Sequence, residues 1–314
     1  MTSVFAVLFV LCTVVVPSNG QELEWCYNEP TCNSTVWASK PIGFCNQSNQ
    51  SPINIVTASV TQNQNLTNFT FSGYSNRNKL MSIINNGHTV QVNLMNGVQV
   101  SGGGLSTTYS ATQFHLHWGN GSSVPGSEHT VDSMRYAMEM HVVHLKNGYN
   151  MTQALNDPEG VAVLGFLIEA ADMNATTTDS WMMLTSLLPN VSKAGQTKSL
   201  SLSLSMDDLL SGVDRSKYYR YKGSLTTPNC NEVVVWTVFN ETLKVSRNLI
   251  NLFPTSLYFG NTTSMPMTNI YRSAQQLNGR IVQSSQALSS APLLLSPLLS
   301  TFSLALMLAL FFQG

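Results

Sequence analysis

The sequence predicts a mainly β domain of the α+β class, in which a few helices accompany a largely antiparallel sheet. The first observation is a series of short runs in which apolar and polar residues alternate, at 69–71, 80–84 and 89–94. The second is the Asn-Gly pairs at 86–87 and 96–97, which favour the tight turns of β-hairpins. The third is that no internal repeat or linker divides residues 21–280, which indicates a single domain.

The other elements are predicted from the same kinds of pattern. Residues 21–50 are rich in Asn, Ser, Pro and Cys, which predicts an irregular N-terminal segment held by disulfides. Further strands are predicted where apolar and aromatic residues dominate, at 113–118, 136–145, 161–169, 218–222 and 232–239. Helices are predicted at 179–188, with Asp179 or Ser180 as N-cap, near 206–210, and over the amphipathic residues 243–252.

The charge composition narrows the class of partner. Of the 314 residues, 10% are charged, and the net charge is −1. Because the chain has no basic stripe, nucleic acid is not expected as a partner. Apolar residues make up 43% of the chain, which is enough for a full hydrophobic core.

The N-terminal end is typical of a secretory signal peptide. Residues 5–16 form a short apolar run, and the small residues Ser18 and Gly20 favour cleavage before Gln21. Residues 1–20 are therefore predicted to direct the chain into the secretory pathway and to be removed. The alternative is that this run forms a buried N-terminal helix.

The C-terminal end is typical of a glycolipid (GPI) attachment signal. The last part of the chain lacks charged side chains, and residues 293–312 are strongly apolar and long enough to span a bilayer. Small residues precede this run and no basic residue follows it. We therefore predict that residues 284–314 form the signal, with attachment at Ser284 or Ser285 and removal of the apolar tail. The mature domain, residues 21–283, would be anchored to the outer face of the plasma membrane; a single-pass transmembrane helix is the alternative.

The patterns of cysteine and asparagine agree with export. Cys12 lies in the predicted signal peptide, and the other four cysteines are expected to form disulfides in an oxidising compartment. Four cysteines, namely Cys26, Cys32, Cys45 and Cys230, allow three pairings. The close spacing of Cys26 and Cys32 favours a local loop between them. The chain also contains eleven Asn-X-Ser/Thr sequons, which predict a glycosylated surface.

Histidines in two of the predicted strands suit a metal site. Alternate side chains of a strand share a face, so His115 and His117 point the same way. In the later strand Glu139 and His141 also share a face. His141 can therefore complete a set of three imidazoles, and Glu139 can accept a hydrogen bond that fixes its tautomer. Three histidine ligands leave a fourth position open, as in a catalytic zinc site.

The chain resembles the α-class carbonic anhydrases in seven blocks that occur in the order and spacing of that family. The blocks are Ser-Pro-Ile-Asn-Ile at 51–55, Asn-Asn-Gly-His at 85–88, Gln-Phe-His-Leu-His-Trp-Gly at 113–119, Gly-Ser-Glu-His-Thr-Val-Asp at 126–132, Glu-Met-His at 139–141, Val-Leu-Gly at 163–165 and Gly-Ser-Leu-Thr-Thr-Pro at 223–228. The resemblance covers residues 24–280, and the cysteines and both ends are most similar to the membrane-anchored extracellular branch. It implies a large twisted, mainly antiparallel sheet with short peripheral helices. It also implies the disulfides Cys26–Cys32 and Cys45–Cys230.

The same resemblance implies roles for individual residues. It places zinc on His115, His117 and His141. It makes Thr226 and Glu128 an orienting pair, in which the carboxylate can only accept and so sets the direction of the Thr226 proton. It makes His88 the proton shuttle. It makes Gln113 and Glu139 the residues that orient the histidine ligands, together with a backbone carbonyl near Ile270 that orients His117.

The resemblance also implies residues that surround the metal site. Water is held by Tyr27, Asn86 and Gln91. The substrate pocket is formed by Val143, Val163, Leu225, Thr226, Thr227, Val234 and Trp236. The remaining histidines, His129 and His144, are structural.

The function implied by the resemblance is the reversible hydration of carbon dioxide to bicarbonate and a proton, with Zn2+ as cofactor. The substrates would be CO2, water and bicarbonate, and the sequence does not name a bicarbonate transporter as partner. The alternative is a catalytically silent carbonic anhydrase-like ectodomain that acts in binding or adhesion. Silent relatives typically lack zinc histidines, whereas all three are present here. A different zinc hydrolase is not supported, because the chain has no H-E-x-x-H motif.

Overall fold

The structure is a computed structural model that describes residues 25–172, 178–201, 203–260 and 262–286. The predicted signal peptide and the predicted apolar tail lie outside these ranges. Within the ranges, no helix is both long enough and apolar enough to cross a membrane.

The strands of the described residues form two sheets. Thirteen of them join one large mixed sheet, and three short strands form the other. In chain order the strands are β1 (Asn54–Ile55), β2 (Thr61–Gln62), β3 (Phe69–Ser72), β4 (Leu80–Asn85), β5 (Val90–Leu94), β6 (Gln99–Gly102), β7 (Tyr109–Trp118), β8 (Thr130–Val131), β9 (Met134–Arg135), β10 (Met138–Lys146), β11 (Val161–Ala171), β12 (Thr197–Ser199), β13 (Tyr218–Gly223), β14 (Val234–Phe239), β15 (Leu243–Ser246) and β16 (Gln283–Ser284).

The large sheet follows the order β12-β4-β5-β7-β10-β11-β14-β13-β16-β2, and β3, β6 and β15 attach beside this path. The small sheet has the order β1-β8-β9. Three pairings in the large sheet are parallel, namely β11 with β14, β11 with β15, and β16 with β2, and the rest are antiparallel. The predicted fold class, a large and mostly antiparallel sheet with few helices, is therefore confirmed.

Short helices lie around the sheet. They are α1 (Met151–Ala154), α2 (Thr178–Thr185), α3 (Met206–Leu209) and α4 (Arg247–Ser256), with single 3-10 turns at Trp37–Ser39, Thr57–Ser59 and Leu188–Val191. Asn150 and Ser205 start α1 and α3 with capping boxes, in which the side chain of the cap accepts from the backbone N–H of the third helical residue and the side chain of that residue accepts from the backbone N–H of the cap.

The predicted helix over 243–252 is wrong in its first part. Residues 243–246 form strand β15, which pairs in parallel with the end of β11, and the helix begins only at Arg247. Leu243 and Val245 are fully buried while Lys244 between them is exposed, which is the alternation of a strand. A short segment with this pattern fits a helix or a strand, and here the neighbouring β11 decides.

The two central strands separate two apolar cores. On β7, Phe114, Leu116 and Trp118 are buried in the larger core, as their alternation with the histidines predicts. On β10, Met140 and Val142 enter the same core, whereas Val143 enters a smaller core on the other side. The histidine-bearing face of the sheet therefore lies beside the smaller core.

Two disulfides hold the N-terminal segment. Cys26 pairs with Cys32, and Cys45 pairs with Cys230 across 185 positions of sequence. Both pairings implied by the resemblance are confirmed. The second disulfide fixes the segment to the loop that follows β13, close to the block at 223–228 in sequence.

Candidate metal centre

The register of β7 and β10 brings the three histidines together. His141 is the direct cross-strand partner of His115, and Glu139 is the partner of His117. One ligand atom from each of the three imidazoles lies within 4.8 Å of the others. His117 and His141 are 1% exposed, and His115 is partly buried. The predicted triad is therefore assembled by strand pairing alone.

Each imidazole of the triad is held by a hydrogen bond on one ring nitrogen. Nδ1 of His115 lies 3.0 Å from Gln113 Oε1, and Nδ1 of His117 lies 2.8 Å from the Ile270 carbonyl oxygen. Nε2 of His141 lies 2.7 Å from Glu139 Oε1. These acceptors require an N–H on the bonded nitrogen, so the other nitrogen of each ring carries a lone pair.

Burial keeps the three imidazoles neutral. It lowers the pKa of His117 to about 4 and the pKa of His141 below its usual value. It also lowers the pKa of His115 well below its usual value, and the two neighbouring imidazoles add to this effect. Because only a neutral imidazole can donate a lone pair, the triad is prepared to bind a metal at neutral pH.

Two buried atoms at this position test whether a metal fits. Nε2 of His117 and Oε2 of Glu128 have no hydrogen-bond partner among the described residues, and they lie 3.4 Å apart. A lone-pair nitrogen and a carboxylate oxygen are both acceptors, so neither can satisfy the other. A cation held by three imidazole nitrogens would satisfy the lone pair of His117, and the all-nitrogen donor set suits zinc.

Glu139 is the central acceptor of the site. Its Oε2 accepts the backbone N–H groups of Glu128 at 2.8 Å and His129 at 2.7 Å. Its Oε1 accepts from His141 Nε2 and from His129 Nδ1, both at 2.7 Å. Burial opposes ionisation of Glu139, but the two imidazoles hold its pKa well below the usual value. Glu139 thus fixes both the orientation of His141 and the loop that carries Glu128.

Glu128 faces the triad from that loop and is fully buried. Its Oε1 accepts the backbone N–H of Arg272 at 2.8 Å, and its Oε2 lies 3.9 Å from His141 Nδ1. Burial raises the pKa of Glu128 to about 7, although His141, the Thr226 side chain and the Arg272 N–H favour its ionised form. Thr226 is itself buried, and its side chain lies close enough to Glu128 to favour the ionised carboxylate.

Comparison with known proteins gives the same result as the geometry. Residues 32–286 match the family model described as eukaryotic-type carbonic anhydrase. The chain belongs to the carbonic anhydrase family. It is 40% identical to carbonic anhydrase 4 of Oryctolagus cuniculus over 86% of this chain and 87% of the relative. It is 37% identical to carbonic anhydrase 4 of Mus musculus over 98% and 99%, and 39% identical to carbonic anhydrase 6 of Bos taurus over 87% and 84%.

The loop at 269–272 of this carbonic anhydrase supplies the backbone carbonyl that orients His117. Asn269 takes a φ of +54°, a conformation that Asn tolerates better than most residues. The backbone N–H groups of Asn269 and Ile270 donate to the carbonyls of Gly119 and Trp118. These bonds aim the Ile270 carbonyl at His117, as predicted for a carbonyl near this position.

His88 and Tyr27 both line a cleft of about 1250 Å³. The ring of His88 stacks on Trp25 with centroids 3.8 Å apart. Asn86 Oδ1 accepts the backbone N–H groups of His88 and Thr89, both at 2.9 Å, and so builds the turn that presents His88. The third predicted polar residue, Gln91, is the cross-strand partner of His115.

The predicted apolar wall forms one cluster in the smaller core. Four of its members are buried, and Leu225 packs against them; the four are Val143, Val163, Val234 and Trp236. The ring of Trp236 lies 4.8 Å from the ring of His141. Thr227 is partly buried, and its carbonyl accepts the backbone N–H of Cys230. The wall is therefore next to the triad.

Two other histidines are structural, as predicted. His129 lies between Glu139 and the Tyr221 hydroxyl, and a second group of possible metal ligands, His129 with Glu139 and His141, is explained by these hydrogen bonds. His144 Nε2 lies 2.8 Å from the Tyr74 hydroxyl, and its Nδ1 lies 3.0 Å from the Val142 carbonyl.

Two contacts of the site were not predicted. These are the backbone N–H of Arg272 on Glu128, 144 positions away, and the stacking of Trp25 on His88. A backbone N–H is present in every residue except proline, so the side-chain pattern cannot indicate which one donates to Glu128. An aromatic residue near the N-terminus has no local feature that pairs it with a distant histidine.

Proposed function

We propose that this chain catalyses the zinc-dependent, reversible hydration of carbon dioxide at the outer face of the plasma membrane. The observation that carries the proposal is the triad. Each of the three neutral imidazoles has one ring nitrogen fixed by a hydrogen bond. Their ligand atoms lie within 4.8 Å of one another. His115 and His117 would hold zinc through Nε2, and His141 through Nδ1. Zinc acts as a Lewis acid that lowers the pKa of water to about 7, a value measured on carbonic anhydrases themselves.

Glu128 and Thr226 orient the water that attacks. One oxygen of Glu128 already accepts from the Arg272 N–H, which leaves Oε2 for the Thr226 hydroxyl. A cation on the three imidazoles would favour the ionised form of Glu128, and since a carboxylate only accepts, the Thr226 proton must point to Glu128. The lone pairs of the Thr226 oxygen then accept a hydrogen bond from water in the pocket, and this fixes which lone pair of that water faces CO2.

The apolar wall holds the other substrate. Carbon dioxide carries no charge, so a dry pocket beside the triad binds it without the cost of desolvating an ion. Val143, Val163 and Trp236 provide such a surface, and Leu225 covers its edge. Excluding water from this wall also keeps the electrostatic effect of Glu128 and Thr226 strong.

His88 carries the proton of each turnover to solvent. An imidazole titrates near physiological pH, so it can accept a proton from the pocket and release it to buffer. Its partly buried position in the wall of the cleft, on a turn fixed by Asn86, supports this role. Tyr27 lines the same cleft as His88, Gln91 is the cross-strand partner of His115, and both would order water between the triad and the shuttle.

The chain ends support attachment to the membrane by a lipid. Residues 1–20 would be removed as a signal peptide. Ser284 is buried as the last residue of β16, and Ser285 exchanges hydrogen bonds with the Tyr218 backbone through its N–H and hydroxyl. Attachment at Ser285 keeps these bonds, whereas attachment at Ser284 removes them, so Ser285 is the better site. A retained transmembrane helix is the alternative.

Surface glycosylation agrees with this route. Of the nine sequon asparagines in the described residues, eight are exposed and Asn33 is partly buried. The exposed ones are Asn46, Asn49, Asn65, Asn68, Asn120, Asn150, Asn190 and Asn240. Peptide N-glycosidase treatment of the mature protein should lower its apparent mass, and an unchanged mass would contradict glycosylation.

Stopped-flow CO2 hydration on the mature protein tests the activity. We expect a rate above buffer that a zinc chelator abolishes and added zinc restores. A protein that binds zinc but shows no such rate would be the silent ectodomain instead. Release from intact cells by phosphatidylinositol-specific phospholipase C tests the lipid anchor, and protein that stays on the cells would indicate a transmembrane helix.

A further inference from the structure

A second cavity, of about 380 Å³, lies at the β13 side of the large sheet. We call it the Arg220 pocket, and define it by Leu105, Ser106, Glu159, Arg220, Lys222 and Arg280. None of the three triad histidines lines it. The proposed CO2 hydration makes no use of it.

The guanidinium of Arg220 is a buried charge that faces this pocket. Arg220 is 6% exposed, and burial lowers its pKa. Its Nε and Nη2 donate to Thr237 Oγ1, and Nη2 also donates to the Gly103 carbonyl. Nη1 has no hydrogen-bond acceptor among the described residues. A Cβ on Gly104, which lines the pocket, would lie 3.5 Å from that Nη1, so the atom points toward the cavity.

The charges around the pocket do not balance. Arg220, Lys222 and Arg280 contribute +3 and Glu159 contributes −1, which leaves +2. Lys222 Nζ forms an ion pair with the Glu159 carboxylate, at a distance of 2.7 Å. In the described part of the chain, neither arginine has a carboxylate within ion-pair distance. Arg280 instead donates to four backbone carbonyls. Burying a guanidinium without a counter-ion is costly, so an anion in the cavity would stabilise this arrangement.

We propose that the Arg220 pocket binds a phosphate-type oxyanion. A net charge of +2 matches a dianion, and guanidinium N–H groups and an ammonium are the donors that phosphate oxygens prefer. Ser106 also lines the pocket, but its hydroxyl is already hydrogen-bonded to Glu159, so the donors left for the anion come from the basic side chains. The proposal is independent of the CO2 hydration proposed above.

Two sources of this oxyanion are consistent with the position of the pocket. Free phosphate can enter from solvent. A phospholipid headgroup is also close if the chain is anchored at Ser285. Gln283, a pocket residue, is the cross-strand partner of Arg220 and lies two residues before Ser285, which is about 7 Å along a strand.

Calorimetric titration of the zinc-loaded mature protein with inorganic phosphate tests the site. We expect saturable binding that Lys222→Glu weakens by about tenfold or more, because this change takes the pocket from +2 to 0. Lys222 is 70% exposed, so the variant should fold. Lys198→Glu is the matched control, since Lys198 is exposed on β12 at the opposite edge of the sheet, and it should bind as the unchanged protein does.

Arg220→Lys adds a second variant and should also weaken binding, since it removes the Nη1 donor at the pocket wall. Flotation with phosphatidylcholine vesicles, with and without phosphatidic acid, identifies the source. Vesicle binding that depends on Lys222 but not on Lys198 indicates the headgroup, and phosphate binding alone indicates the free ion. The proposal is overturned if neither probe binds, or if Lys222→Glu and Lys198→Glu bind alike, as they would if phosphate occupied the zinc site. CO2 hydration by Lys222→Glu should equal that of the unchanged protein in every case.

Discussion

Replacing Glu139 by glutamine tests how the metal site is prepared, because the change keeps the shape of the side chain and removes its charge. In the unchanged protein Oε2 accepts two backbone N–H groups, and Oε1 accepts from His141 and His129. A glutamine carbonyl in the place of Oε2 keeps the backbone bonds. The glutamine NH2 group then takes the place of Oε1, so it is a donor that faces the N–H groups of His129 and His141, which are also donors. His141 can accept from this NH2 group only if its proton moves from Nε2 to Nδ1, the nitrogen that would bind zinc.

The expected magnitude follows from these bonds. Loss of an acceptor that orients a metal-ligating histidine typically weakens metal binding 10- to 100-fold, or by about 1.4–2.7 kcal/mol. Each hydrogen bond to a charged acceptor contributes about 1.5–3 kcal/mol, so the metal-free protein should lose about 2 kcal/mol of unfolding free energy or more. CO2 hydration should fall in proportion to zinc occupancy at limiting zinc.

Zinc competition against a chelator of known affinity measures the first effect, and urea unfolding of the metal-free protein measures the second. Glu169→Gln is the matched control, because Glu169 makes an exposed ion pair with Lys244 far from the triad and should leave zinc affinity unchanged. If Glu139→Gln binds zinc within twofold of the unchanged protein, the tautomer of His141 is not what Glu139 controls, and the reasoning fails.

Three further predictions concern the orienting pair, the shuttle and a buried histidine. Thr226→Ala should lower CO2 hydration by about 100-fold while one zinc per chain remains bound, and a rate near that of the unchanged enzyme would remove Thr226 from the mechanism. His88→Ala should slow turnover by roughly tenfold in weak buffer and recover with added imidazole; an unaffected rate would mean that protons leave by another route. Burial lowers the native pKa of His144 from 6.5 to about 4, so stability is fully present above pH 6.5 and is lost as pH falls to about 4. His144→Gln should therefore lose about 2.5 kcal/mol less unfolding free energy between pH 7 and pH 4.5 in urea titrations, and equal losses in both proteins would contradict this assignment.

The strands that form the site were predictable because each carries its own alternation. In β7 the apolar Phe114, Leu116 and Trp118 alternate with the histidines, and a strand with this pattern must bury one face and turn the histidines to the other. The short β15 was predicted as a helix, because Leu243 and Val245 are compatible with either period over so few residues. Its conformation depends on pairing with β11, a contact that local sequence does not contain.

The triad was predictable from sequence, and its surroundings were only partly so. In a His-X-His or a Glu-X-His pair the two side chains lie on the same face of a strand. This is why His115, His117 and His141 were identified together. The Arg272 N–H on Glu128 and the ring of Trp25 on His88 join parts of the chain that are far apart in sequence. The charge imbalance of the Arg220 pocket has the same origin, since its members come from separate loops and strands.

Activity measured during a zinc titration of the metal-free protein tests whether the histidine triad is the catalytic zinc site. We expect no CO2 hydration before zinc is added, then a linear rise and a sharp plateau at one zinc per chain. His117→Ala, which removes one of the three imidazoles, should give no plateau at that stoichiometry. Full activity in the metal-free protein, or an unchanged titration in His117→Ala, would contradict the assignment of His115, His117 and His141 as the zinc site of a CO2-hydrating enzyme.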